Sequence, residues 1–447
     1  MSRLLSFLDQ ETKRLVQNSS WIFLSNFYST GLAFLRSVVI ARGLGVALFG
    51  SYTLVVAFVG LVQEFLNLNL GTALIKYGAG YHSTNRTDKL FSLVKTSLRL
   101  SVIMLVVSVL IIAGLSYSTT FIHDEFPGIH LYMIVYAVAS GLTYFNSISR
   151  SMLRLYYRFR VTSVIEIIMD SVETIVVAIV VYFYPKNIAI FFPAIIIVRF
   201  VNAFICNYIA YLELRKEWLQ YRDADTAVVS EDRKEIRSFI LGNSLGNTLK
   251  TIISQGDVVL LGLLTGPEQV AYYSIAKKLA YSILALTDPL ASSIYPQLAK
   301  LMADQKFGEM KIMLRKIVRV SVIPSVAFFI VMYFIHQWVI VFLYGKEFLG
   351  AAAGYMFFLA GALLGVVTFW TLPLVQSLGL VRMRVVAYVI TIVVGVVLSL
   401  LLIPYYQAAG MAMALLITNV LNVIIFLYFS FQNIQMISRS KQTALER

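Results

Sequence analysis

Apolar residues along the chain fall into blocks of about 20, long enough to cross roughly 30 Å of hydrocarbon as α-helices, and short polar stretches separate them. About twelve such blocks are present. In the first half they cover residues 19–41, 51–70, 93–115, 129–150, 163–183 and 189–212; in the second, 240–262, 271–290, 314–336, 350–371, 384–404 and 410–431. Lys and Arg in alternate loops, counted with the flanking span ends, number 29 on one face, against only Arg42, Lys186 and Lys346 on the other. Short cytoplasmic loops retain positive residues, so both termini are expected in the cytoplasm and the chain in the cytoplasmic (inner) membrane. The longest polar stretch, 213–237, contains the run Ser230-Glu231-Asp232-Arg233-Lys234-Glu235. It reads as a cytoplasmic linker between an N-terminal lobe, 1–212, and a C-terminal lobe, 238–431, with a cytoplasmic tail at 432–447.

Adding 221 to the limits of the first six blocks lands on the last six without a gap, and Gly45…Tyr52 superposes on Gly266…Tyr273. The chain therefore reads as an internal duplication. Six spans is an even number, so the two copies cross the membrane in the same sense, related by an axis along the membrane normal. The expected architecture is an all-α membrane protein of two six-helix lobes with a cleft between them.

Composition agrees: the 447 residues are 59% hydrophobic and 13% charged, with a mean hydropathy of +0.79, whereas soluble domains are about 25% charged. The formal charge of +14 does not suggest nucleic acid, because the basic residues lie between apolar blocks and not on one folded face. Cys206 stands alone and reads as packing. The histidines His82, His123, His130 and His336 form no metal-ligand cluster, so no metal and no cofactor is expected. Residues 1–18 mix apolar and basic positions without a cleavage site and read as an interfacial segment. The sequons at Asn18 and Asn85 fall on the cytoplasmic face, where glycosylation does not occur.

Several stretches carry a family resemblance. Ala41-Arg42-Gly43-Leu44-Gly45-Val46-Ala47-Leu48-Phe49-Gly50-Ser51-Tyr52, followed by Leu70-Gly71-Thr72-Ala73-Leu74-Ile75-Lys76-Tyr77, resembles the opening of polysaccharide transporters of the multidrug/oligosaccharidyl-lipid/polysaccharide exporter superfamily. Gly256-Asp257 through Gly262, Gly266-Pro267-Glu268, and Ala271-Tyr272-Tyr273-Ser274-Ile275-Ala276 are similar to that family's seventh and eighth spans, with Ala271 where the family often has glycine. Phe342 to Phe348 and Ile403-Pro404 to Gly410 extend the likeness over nearly the whole chain. The resemblance implies flipping of a lipid-linked oligosaccharide of polyprenyl-pyrophosphate type, for O-antigen or capsule synthesis, and no enzyme activity.

Charges inside spans point the same way, since each costs about 2.5–3.5 kcal/mol on insertion scales and faces a wet cavity or a partner. Arg36, Arg199 and Lys250, with one of Lys277 and Lys278, are expected to give the cleft a positive lining for the lipid's pyrophosphate. Pairing with acids across helices is the competing account. Adjacent lysines point about 100° apart on a helix, so Lys277 and Lys278 do not both line one cleft. Candidates for coupling to protons or sodium are Glu64, Glu166, Asp170, Glu173 and Asp257. Of these, Glu166, Asp170 and Glu173 share one face of span five at i, i+4 and i+7. They either bind a shared cation, or pair with Arg199 in the adjacent span, or meet cytoplasmic water.

Pro289, Pro324 and Pro373 read as packing kinks, and Gly242-xxx-Gly246 and Gly361-xxx-Gly365 as helix contacts. Tyrosines such as Tyr156 and Tyr157 suit the membrane interface. A membrane-embedded glycan polymerase or ligase needs catalytic groups on the outer face, and the outer stretch 116–128 offers only His123, Asp124, Glu125 and a tyrosine, with no nucleophile-and-base arrangement. A multidrug or organic-cation exporter of the same superfamily is the closer rival, distinguished by the acid-dominated cleft it would require.

Overall fold

The structure, a computed structural model, describes residues 10–118, 129–220 and 232–445; the outer-loop residues His123, Asp124 and Glu125 lie outside them. The first half comprises α1 (Gln10–Leu44), α2 (Val46–Leu66), α3 (Leu70–Ser83), α4 (Thr87–Ser118), α5 (Ile129–Gly141), α6 (Thr143–Leu155), α7 (Phe159–Phe183) and α8 (Ile188–Gln220). The second comprises α9 (Arg233–Leu264), α10 (Pro267–Tyr281), a 3₁₀ turn, α11 (Thr287–Ala303), α12 (Phe307–Tyr344), α13 (Ala351–Thr368), α14 (Thr371–Ser377) and α15 (Val381–Leu445). Every block expected to span is largely helical, with breaks at residues 67–69 and Ser282–Leu286. Eight helices among the described residues are long and apolar enough to cross a membrane, one of them the 54-residue stretch Met383–Met436, which holds two passages. The expected spans missing from those eight have physical reasons. Helix α7 carries Glu166, Asp170 and Glu173; α9 carries Lys250 and Asp257; and α10 and α11 are short helices separated at Ser282–Leu286.

The duplication is written into the backbone. Left-handed φ values fall at Gly45 and Gly266, at Asn85 and Gln305, at Tyr157 and Gly379, and at Lys186 and Gln407, spaced 220 to 222 residues apart. An L side chain rarely adopts φ above zero, so this recurrence marks equivalent chain reversals and not an echo of hydropathy. Gly45 and Gly266 each begin a helix, at φ 77° and 138°, where glycine carries no Cβ penalty. At Gln407 (φ 49°) the long α15 is broken into two passages, matching the gap between α7 and α8. Within the first half, the first and fifth passages run side by side: Ser25 meets Ser163 at 3.3 Å and Tyr28 meets Ser171 at 3.0 Å, so α1 and α7 are parallel. Small hydroxyls at such seams let helices approach closely in lipid.

The chain forms two compact units, residues 1–256 and 257–447. The division falls inside α9 and not at the 213–237 stretch read as a linker. The reason is that the first turns of α9 are bound into the first unit: Ile236 is buried with Leu74, Leu90, Val94, Ile148 and Met152, and Ile240 packs against the cluster. Polar contacts reinforce this clasp. Tyr81 donates to Asp232 at 2.7 Å, Lys89 reaches the same carboxylate at 3.3 Å, and Tyr77 donates to Glu235 at 3.1 Å. The Tyr81 hydroxyl first and Lys89 second hold the Asp232 carboxyl below the usual aspartate range. A depressed carboxyl stabilises the fold above its unfolded pKa and loses that contribution as pH falls through the folded value. Hydrogen exchange at the amides of residues 233–240 should therefore be slow at neutral pH and accelerate, after correction for intrinsic rates, on acidification below the ordinary aspartate range. Asp232→Asn should show the faster exchange already at neutral pH.

Candidate functional site

Helix α6 is amphipathic at helical spacing: Thr143, Asn146, Ser147, Arg150, Ser151 and Arg154 recur at i+3 and i+4 and share one face. That face is too polar for lipid and turns instead into the first unit. There it lines a cavity of about 490 Å³ together with Arg36 of α1, Asp170 and Glu173 of α7, and Arg199 and Asn202 of α8. Thr72 and Ile75 of α3 complete one wall.

The charges inside are partly compensated. Arg36 Nη1 lies 3.1 Å from Glu173 Oε2, with side chains 17% and 12% exposed. Arg150 lies 3.0 Å from Glu166, and Arg154 lies 4.0 Å from the same oxygen. Arg199 sits over the ring of Tyr136, 5.0 Å from its centre, the geometry in which an aromatic face attracts a guanidinium. Asn207 of α8 ties α6 to α8 by donating to Asn146 at 3.0 Å while accepting from Ser149 at 2.6 Å. Compensation is incomplete in one respect. Arg150 Nε, Arg154 Nε and Arg199 Nε are buried and make no hydrogen bond, and neither does Asn202 Oδ1. A buried donor without an acceptor costs about 1–3 kcal/mol, so these N–H groups favour an acceptor brought from outside.

Of the residues singled out in the sequence, the structure brings Arg36, Arg199, Asp170 and Glu173 to this cavity, with Glu166 bonded to its arginines. The span-five acids do pair, but Glu173 pairs with Arg36 and Glu166 with Arg150, not with Arg199. Glu64 is outside the lining, accepting from Asn67 at 3.0 Å. The side chain of Lys250 lies outside the described residues. In the second unit, Lys277 is bonded to Asp257, which is 3% exposed and also accepts from the Tyr273 hydroxyl at 2.5 Å; Lys278 is exposed. The cation and the acid considered separately there form one buried pair. Sequence reasoning missed Arg150 and Arg154, which it counted as loop residues; the polar i, i+4, i+8 run Asn146, Arg150, Arg154 was the available signal.

A family model described as polysaccharide biosynthesis protein matches residues 15–302, most of the chain. The chain belongs to the polysaccharide biosynthesis protein family. A second model, MatE, matches residues 244–401. Among solved structures, an inward-facing multidrug resistance MATE family transporter of the MOP superfamily superposes with a TM-score of 0.67, covering 92% of this chain and 96% of that one at 14% identity. The lipid II flippase MurJ, in an inward closed conformation, gives 0.68 over 93% and 89% at 14% identity. The Vibrio cholerae MATE transporter VcmN gives 0.55 over 96% and 97% at 12% identity. At these identities the likeness establishes the fold, that of MOP-superfamily membrane transporters. Comparison with curated proteins gives no significant match.

The Arg36–Glu173 pair carries a direct test. Arg36→Gln and Glu173→Gln should each lower the thermal midpoint of the purified protein in detergent, because each strands a charge. The double variant should recover part of the loss, with a coupling of about 0.5–3 kcal/mol; strictly additive losses would show that the pair does not interact.

Proposed function

We propose that this protein translocates a lipid-linked oligosaccharide of polyprenyl-pyrophosphate type across the cytoplasmic membrane by alternating access, both termini being cytoplasmic, in the service of cell-surface polysaccharide synthesis. The observation that carries the reading is the set of three buried guanidinium Nε–H groups without acceptors, those of Arg150, Arg154 and Arg199, around one polar cavity. A pyrophosphate is the ligand class whose many anionic oxygens match planar guanidinium donors, and charge-assisted hydrogen bonds of this kind are roughly twice as strong as neutral ones. Membership of the polysaccharide biosynthesis family supports a saccharide cargo. The lipid II flippase MurJ is a structural neighbour, which supports a lipid-borne cargo by analogy of fold.

An organic-cation exporter would instead present acceptors. Here Glu166 and Glu173 are engaged by arginines, leaving Asp170 as the cavity acid that forms no ion pair among the described residues. We therefore assign any proton or sodium coupling first to Asp170, with Asp257, Glu166, Glu173 and Glu64 behind it. Lys250, Lys277 and Lys278 remain secondary candidates for the substrate's charge.

Binding of a polyprenyl-pyrophosphate oligosaccharide to the protein in nanodiscs should weaken about tenfold or more in Arg199→Gln and in Arg150→Gln, the loss expected for a hydrogen bond to a charged group. Unchanged affinity in both would remove the anionic-lipid reading, and export of an organic cation by the same preparation would replace it. In proteoliposomes, Asp170→Asn should abolish whichever dependence on a proton or sodium gradient the unchanged protein shows. Full flipping with both gradients collapsed would discard coupling through these acids.

A further inference from the structure

The second unit holds a second recess, away in chemistry from the arginine cavity. It is a groove of about 580 Å³ where α12 begins. Its floor is apolar, formed by Leu314, Trp370 and Phe431, and its rim carries Lys311, Arg315 and Arg319. Those cations are spaced i, i+4 and i+8 and share one face of α12. All three are exposed, and among the described residues none is in an ion pair. The acid beside them on the helix, Glu309, is taken by Lys306 at 3.5 Å.

The duplication reveals what such a trough accepts. Leu90, Val94, Ile148 and Met152 in the first unit correspond, at offsets of 220 to 222, to Met310, Leu314, Trp370 and Leu374 in the second. In the first unit the trough is covered by the start of α9, which lays Ile236 and Ile240 on the apolar floor. Its acids Asp232 and Glu235 meet Lys89, Tyr81 and Tyr77 at the rim. The occupant there is an apolar body with an acidic head. In the second unit the described chain places no acid-headed segment on the equivalent floor, and the rim is more cationic.

We propose that this groove binds an anionic phospholipid from the leaflet facing the basic loops, one acyl chain lying along Leu314, Trp370 and Phe431 and the phosphodiester meeting Lys311, Arg315 and Arg319. Basic pockets between helices at the cytoplasmic interface recognise anionic headgroups, and a cation near the surface adds about fivefold to affinity. The site is separate from the cavity assigned to substrate, and its test needs no substrate.

Trp370 is a built-in reporter. With Trp21, Trp218 and Trp338 replaced by Phe, fluorescence of the full chain is titrated with acyl-brominated phosphatidylglycerol and, separately, acyl-brominated phosphatidylcholine. Phosphatidylglycerol should quench at a lower mole fraction. Lys311→Gln, Arg315→Gln and Arg319→Gln should each shift its half-quenching point upward about fivefold, while Arg315→Lys restores it. Because the three side chains are exposed, the single variants remain readable if the triple variant fails to assemble. Equal quenching by the two lipids in the protein with all three cations would overturn the proposal. So would loss of the preference in millimolar inorganic phosphate, which would identify a free-phosphate site.

Discussion

A polar group in hydrocarbon has no water to turn to, and the rest of this structure follows from where it puts such groups. Backbone amides are satisfied by helices. The side-chain charges of the first half are satisfied by being gathered: arginines from α1, α6 and α8 face carboxylates from α7 across one recess. Scattering the same charges over lipid-facing positions would cost a few kcal/mol apiece. Gathering them brings counter-charges close together, as in the Arg36–Glu173 and Arg150–Glu166 pairs, and leaves guanidinium N–H groups over after pairing.

The duplicated fold treats its two copies differently. Equivalent chain reversals recur with little drift, from Gly45 and Gly266 through Lys186 and Gln407, so the copies share a helical scaffold. The charges do not recur. The first copy collects several ion pairs and open donors around a cavity, whereas the second buries a closed Asp257–Lys277 pair capped by Tyr273. Removing one partner of such a buried pair is costly, because it leaves the other charge uncompensated. A duplicated scaffold can thus keep the same helices while distributing its buried charges differently in each copy.

The same divergence appears at the trough on α4 and α12. One copy is covered by the start of α9, an amphipathic segment with acids at its head, and the other is left as a groove with a basic rim. Because the covering segment comes from the connection between the copies, the first copy's compact unit extends to residue 256. Asp232 and Glu235 at the start of α9 are therefore part of a packed seam, with the Asp232 carboxyl held below the usual aspartate range by Tyr81 and Lys89.

By itself the sequence determined that the chain is helical, that its passages repeat at an offset of 221, and that Arg36, Arg199, Asp170 and Glu173 are charges inside spans that need a partner or a wet cavity, because hydropathy and intramembrane charge are local properties readable one residue at a time. It also carried the family likeness. The tertiary structure decided who meets whom. It drew Arg150 and Arg154 inward from positions that looked like loop, gave Glu173 to Arg36 and left Arg199 on Tyr136, and joined Lys277 to Asp257. It also moved the unit boundary into α9. Partner choice depends on helix rotation and depth, which are set by packing between passages far apart in the chain, and the hydrophobic pattern of a span facing both lipid and protein does not encode them.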